Sequence, residues 1–203
     1  MSENRNTEHY YTKDPASAHN EMRHEETVMG KKIVFITDNG VFSKAGLDAG
    51  TRLLIEASMD CGGSVLDMGC GWGAVGITLL MCGVTDDVTF TDINERAADL
   101  CRHNLELNRL SGHSVHCGAG FEKVPGKFGH ILLNPPIHAG KKVIYDLFRE
   151  AKEHLLPGGT IRVVMMTHQG ADSAKKELES IYGDCRIISR GSGYKVLLSV
   201  NGD

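Results

Sequence analysis

Residues Ser64–Gly76 read SVLDMGCGWGAVG. A short apolar run ends at Asp67. Gly69, Gly71 and Gly73 then follow at alternate positions, and a helical pattern starts at about Ala74. The run is strand-like, and the glycines form a turn where no side chain blocks an approaching ligand. The helix after it offers free N–H groups at its first turn. The segment therefore predicts strand, open loop, helix, which is the opening unit of a parallel α/β sheet.

The same alternation continues downstream. VTFTD (88–92) precedes a helix over Asn94–Asn108. HSVHC (113–117) and HILLN (130–134) precede a helix from about Lys141 to Leu156. PGG (157–159) reads as a turn before TIRVVMM (160–166), and a helix around Ser173–Ile181 leads to CRIIS (185–189) and YKVLLSV (194–200). Near-continuous apolar strands between helices predict an α/β, doubly wound, mostly parallel sheet covered on both faces. The last two strands have no helix between them, so they predict an antiparallel hairpin at one sheet edge. Upstream, EETVMGKKIVFIT (25–37) predicts an N-terminal β-hairpin. A loop and a short helix that Asp48 or Thr51 could cap come next. Residues 1–22 are polar and aperiodic and read as a tail. Residues 23–203 form one domain, with hairpin, loop and helix over 23–60 and a ligand-binding core over 61–203.

Composition narrows the function classes. The chain has 203 residues, 41% hydrophobic and 24% charged, enough for one core without staples. No run approaches the ~20 apolar residues of a membrane span and the N-terminus has no signal core, so a soluble, cytoplasmic protein is expected. The six cysteines and ten histidines show no ligand spacing, and no metal is expected. A net charge of −4 argues against nucleic-acid binding by bulk positive charge, while a local basic patch stays open.

Ligands of open parallel sheets bind beyond the carboxyl ends of the strands. Those ends carry Asp67 and the glycine loop, Asp92, Cys117–Phe121, Asn134-Pro135-Pro136 and Thr167–Gln169. Asp92 ends the second core strand, where a carboxylate can accept both hydroxyls of a ribose. A nucleoside cofactor is therefore expected. Gly69-x-Gly71-x-x-Ala74 also satisfies the dinucleotide pattern, so a nicotinamide oxidoreductase is the rival. Asp67 weighs against it, because a carboxylate before the loop opposes a pyrophosphate. It suits a cationic ligand, and S-adenosylmethionine carries an adenosine, an ammonium and a sulfonium. Asn-Pro-Pro is a stiff corner, since two prolines fix φ and remove two donors.

Together with the upstream GVFSKAGLDAGTRLLIE, the motifs VLDMGCGWGAVG, TDINERA and NPPIHAGK resemble the small-domain methyltransferase family, from about residue 27 to 200. Within it the chain is similar to small-subunit ribosomal RNA guanine-N2 methyltransferases. The resemblance implies a Rossmann-like sheet with a reversed last strand, S-adenosylmethionine as cofactor and RNA, as ribosomal RNA or a ribosomal particle, as partner. It implies that Asp67, Gly69, Gly71 and Gly73 hold the methionine part, that Asp92 takes the ribose and that Ala119, Gly120 and Phe121 line the adenine. Cys70, Ile93 and Asn134 complete the implied cofactor-binding set. Asn134 and the Pro135 carbonyl face the target amine, with Pro136 and Ile137 completing the catalytic corner. Two fixed acceptors there can take both N–H groups of a planar amine and aim its lone pair at the methyl group. The same corner suits adenine N6 or a glutamine amide, and a catalytically silent cofactor-binding module is an alternative of another class. Ala119 stands where relatives have Asp or Asn, and Ile137 where they have an aromatic. Some relatives carry a second, N-terminal half, which these 203 residues do not contain. Lys44, Lys141 and Lys142 are candidates to meet substrate phosphates, and Phe42 is a candidate cofactor cover.

Overall fold

The computed structural model describes residues 17–136 and 139–202. Most of the expected tail, and Ile137 and His138, lie outside the described residues.

The N-terminal hairpin pairs β1 (Met22–Val28) with β2 (Lys31–Thr37), in register from Met22 opposite Thr37 to Val28 opposite Lys31. Its turn places Met29 at φ 48° and Gly30 at φ 76°, two successive positive values that suit the twist of a tight hairpin. Ile33 and Phe35 of β2 point inward and are fully buried, which anchors the hairpin to the main body. Its outer edge is closed by α3 (Glu95–Leu107). Asn104 accepts from Ile36 N (2.7 Å) and donates to Ile36 O (2.9 Å). Asn108 accepts from Val34 N (3.2 Å) and donates to Val34 O (2.7 Å). Four helical residues rise about 6 Å, close to the ~6.8 Å that two strand residues span. Two side-chain amides thus stand in for a third strand.

The main sheet has seven strands: β3 (Ser64–Met68), β4 (Asp87–Asp92), β5 (Val115–Cys117), β6 (Phe128–Leu133), β7 (Leu155–Met166), β8 (Arg186–Gly191) and β9 (Tyr194–Val200). Their order is β5-β4-β3-β6-β7-β9-β8, parallel except that β9 runs antiparallel to both neighbours. The expected closing hairpin is present, with β9 inserted between β7 and β8. The expected PGG turn is instead part of β7. Gly158 N donates to Asn201 O and Asn201 N to Gly159 O, each at 2.8 Å, so the glycines join the sheet beside the end of β9.

Period-two alternation divides the core. Val65, Leu132 and Val164 face α1 (Ala49–Glu56), α2 (Ala74–Cys82), α3 and the hairpin. Leu66, Ile131, Leu133, Val163 and Met165 face α4 (Lys141–Glu153) and α5 (Ala171–Tyr182). Arg162 breaks the apolar run of β7; it is 4% exposed and is neutralised by Asp60, with Nη1 to Oδ1 at 2.5 Å and Nη2 to Oδ2 at 3.1 Å. Helix ends follow local chemistry: Asp48 caps α1 through Gly50 N and Thr51 N, and Asn94 caps α3 through Ala97 N.

Candidate active site

The chain reverses its direction across the sheet between β3 and β6, so the loops that follow these two strands diverge and leave a crevice. A cavity of about 420 Å³ occupies it, lined by the glycine loop, the ends of β4 and β6, the loop after β5 and the start of α4. Gly69 (φ 67°) and Gly71 (φ 56°) adopt left-handed backbone, and a Cβ on either would enter open space on the cavity side. Gly73 serves packing: a Cβ there would sit 2.9 Å from Cys101 Sγ and 2.6 Å from Ile77 Cδ1.

Asp92 braces this loop. Its Oδ2 accepts from Gly71 N and its Oδ1 from Asn94 N, both at 2.8 Å. Burial raises its pKa above the ordinary carboxylate value, against the lowering effect of these N–H groups. Asp92 still lines the cavity, where it is the only formally charged residue among the described lining residues. The loop that closes the cavity from above is tied down at three points. Trp72 Nε1 donates to Phe42 O (3.0 Å), Asn94 Nδ2 to Gly40 O (2.8 Å) and Arg96 Nη1 to Asn39 O (2.8 Å). Phe42 lines the cavity and is 39% exposed.

At the far end, Asn134 leaves β6 and its Nδ2 donates to Thr51 Oγ1 at 3.0 Å. Pro135 is buried and Pro136 half-buried, and both line the cavity beside Ala139 and Val143. Lys44 Nζ and Lys142 Nζ are engaged by Asn39 Oδ1 (3.0 Å) and Asp146 Oδ2 (2.7 Å).

The expected site residues thus fall into two groups. Gly69, Cys70, Gly71, Asp92, Ile93, Ala119, Gly120, Asn134, Pro135 and Pro136 share one cavity wall. Asp67, Gly73 and Phe121 do not reach it. Asp67 is 3% exposed beneath the loop, with Oδ2 accepting from Gly76 N at 2.8 Å. Burial, reinforced by the nearby charge of Asp92, pushes its pKa up to about 7. Phe121 turns into the opposite core and stacks on His154 with ring centroids 4.5 Å apart. Thr167–Gln169 lies off the cavity as well. Burial pushes the Cys70 thiol well above its ordinary value, so it lines the wall as a neutral group. Sequence reasoning did not assign Thr51, Trp72, Val143 or Leu147 to the wall. The one available signal was the GLDAGT segment, read there as a helix cap.

A doubly wound sheet with an open glycine loop after its first core strand and a carboxylate ending the next defines an α/β domain built to hold a nucleoside-containing ligand. The chain belongs to the methyltransferase small domain family, whose sequence model matches residues 32–198. It is 34% identical over 195 residues to YbxB of Bacillus subtilis (strain 168), covering 94% of this chain and 97% of that one. It is 36% identical over 173 residues to ribosomal RNA small subunit methyltransferase C of Mannheimia succiniciproducens, covering 83% of this chain and 50% of the relative. Among solved structures, the T. thermophilus 16S rRNA N2 methyltransferase RsmC, in complex with AdoMet and guanosine, superposes with a TM-score of 0.79 at 24% identity. The match covers 89% of this chain and 50% of that one. This chain therefore spans about half the length of its ribosomal RNA methyltransferase relatives.

Proposed function

We propose that the protein is an S-adenosylmethionine-dependent N-methyltransferase acting on the exocyclic N2 of a guanine in ribosomal RNA, inside the cell. One observation carries the cofactor reading. Asp92 is the only formally charged side chain among the described residues of the wall, and Asp67 lies beneath the loop. A cavity that offers carboxylate and no cation favours an ammonium and a sulfonium over a pyrophosphate. The open spaces above Gly69 and Gly71 fit a ligand held against bare backbone, and the volume suits one of nucleoside size. When bound, the cofactor supplies an electrophilic methyl group on a sulfonium that leaves as a neutral thioether.

The chain's own residues prepare the acceptor. Asn134 Oδ1 and the Pro135 carbonyl are two acceptors on a stiff corner. They take the two N–H groups of a planar amine, draw its nitrogen toward pyramidal geometry and aim the lone pair into the cavity. Val143, 47% exposed on the first turn of α4, offers an apolar face to the base. The resemblance to ribosomal RNA methyltransferases supports guanine N2 among the amines this corner accepts.

The test supplies methyl-labelled cofactor with, separately, undermethylated ribosomal RNA, DNA and protein fractions, and identifies the labelled product. N2-methylguanosine is expected. N6-methyladenosine or methylglutamine would keep the corner's chemistry and replace the substrate, whereas no transfer to any fraction would sink the enzymatic reading.

A further inference from the structure

We propose that Thr51, oriented by Asp48, is a positioning residue that sets which end of the Asn134 amide faces the acceptor amine. The inference rests on the N-methyltransferase reading and names a part of the machinery that the Asn-Pro-Pro corner does not contain.

A single proton sets the polarity of this contact. Asp48 Oδ1 accepts from Gly50 N (2.9 Å) and Thr51 N (3.1 Å), and Oδ2 accepts the Thr51 hydroxyl at 2.5 Å. A carboxylate only accepts, and a hydroxyl has one proton to give. Thr51 Oγ1 therefore turns lone pairs alone toward Asn134, 3.0 Å away. An acceptor there selects the NH₂ end of the amide and repels its oxygen. Asn134 Nδ2 is drawn to Thr51, and Oδ1 turns to the other side as an acceptor.

The polarity matters because a target amine presents N–H groups. The opposite amide orientation would set NH₂ against NH₂ and leave the amine without one of its two acceptors. Proline rigidity fixes where the Asn134 backbone stands, but it does not determine rotation about the side chain's last bond, which is broad and two-fold. Thr51 supplies that missing constraint. It is 5% exposed and lies on the cavity wall, so water competes poorly for its lone pairs. The cap of α1 and the orientation of the catalytic amide are thus one hydrogen-bonded chain, Asp48 to Thr51 to Asn134, joining residues 83 positions apart in sequence.

The test uses three isosteric or near-isosteric variants of the full chain. Thr51→Val deletes the acceptor and keeps the shape. Thr51→Ser keeps the hydroxyl. Asp48→Asn keeps a capping oxygen for α1 but can donate to Thr51, which frees the threonine proton to point at Asn134 and reverses the polarity. Thr51→Val is expected to lower turnover roughly 3- to 10-fold, the population shift that one hydrogen bond supports. Cofactor affinity should stay within about 3-fold. Asp48→Asn should lose at least as much turnover, and Thr51→Ser should retain it. In an Asn134→Ala background neither Thr51→Val nor Asp48→Asn should slow the reaction further, because the amide they orient is gone.

Unchanged turnover in Thr51→Val, equal damage from Thr51→Ser, or an undiminished effect in the Asn134→Ala background would overturn the assignment. If the wild-type protein methylates no RNA guanine, the function reading falls by itself, and the Asn134 side-chain amide resonances then decide the relay. One amide proton should exchange slowly in wild type and Thr51→Ser and rapidly in Thr51→Val. Rapid exchange in all three overturns the relay independently of activity.

Discussion

In the proposed reaction Asp92 and Asn134 divide the labour of the site between binding and chemistry. Asp92 braces Gly71 N and Asn94 N and lines the cavity. Asp92→Ala removes charge-assisted hydrogen bonds and is expected to weaken S-adenosylmethionine binding by about 10- to 100-fold in calorimetry. An unchanged dissociation constant would contradict that role. Asn134→Ala acts on the other partner. Turnover should fall on the order of 100- to 1000-fold, the loss typical of a single preorganised polar group at a reacting centre. Cofactor affinity should move only a few-fold. Full turnover in that variant would reduce Asn-Pro-Pro to a turn. Both residues were legible in the sequence because each ends an apolar run, and strand ends of a parallel sheet point at the ligand. Thr51 was legible only as a helix cap, since its partner in the site comes from a distant strand.

At the scale of elements, the N-terminal hairpin depends on α3 for its edge. Asn104 is fully buried, with its oxygen taken by Ile36 N and its amine by Ile36 O and Trp72 O. Asn104→Ala leaves three buried backbone groups without partners, at a cost of about 2–4 kcal/mol in denaturant unfolding. The Ile36 amide should lose hydrogen-exchange protection at the same time. A cost under about 0.5 kcal/mol would mean that water replaces the asparagine freely. Because Asn104 also holds Trp72 O, and Trp72 holds Phe42 O, the hairpin, the glycine loop and the covering loop are one connected unit. The α3 boundaries were readable from Asn94 and Asn108 alone, and the described helix runs between them. The use of Asn104 was not readable, because an asparagine inside a helix carries no local mark of the strand it will pair.

For the whole molecule, a buried carboxyl couples stability to pH. Asp67 keeps its proton up to about pH 7 in the folded chain and releases it near 3.9 when unfolded. Between those values the folded state binds one more proton, so this group's contribution falls as pH rises from about 4 to about 7. Asp67→Asn removes that slope while Oδ1 can still accept from Gly76 N. Wild type and variant should melt together at about pH 4 and below, and wild type should fall progressively behind up to about pH 7 and stay behind at pH 8. Parallel melting curves across that range would show that Asp67 is ionised throughout. Asp60, held low by its hydrogen bond to Arg162, acts only in more acid solution.

Alternation of strand and helix, the glycine loop and the polar strand ends were determined by the sequence itself. These are patterns written within a few residues of one another, where backbone sterics and hydrogen bonding decide. They carried the doubly wound sheet, its antiparallel close and the end at which the ligand sits. Tertiary structure alone decided which of those polar residues reach the cavity. Asp67 stands one residue inside the end of β3, opposite Phe90, and the glycine loop folds over its carboxyl, whereas Asp92 is the last residue of β4, so one acid is sealed beneath the loop and the other is left on the wall. Phe121 follows Gly120 directly, but the space behind it belongs to the α4 side of the core and draws the ring inward. The orientation of Asn134 depends on a proton shared between Asp48 and Thr51. Packing brings these groups to one point, and no local pattern records such a meeting.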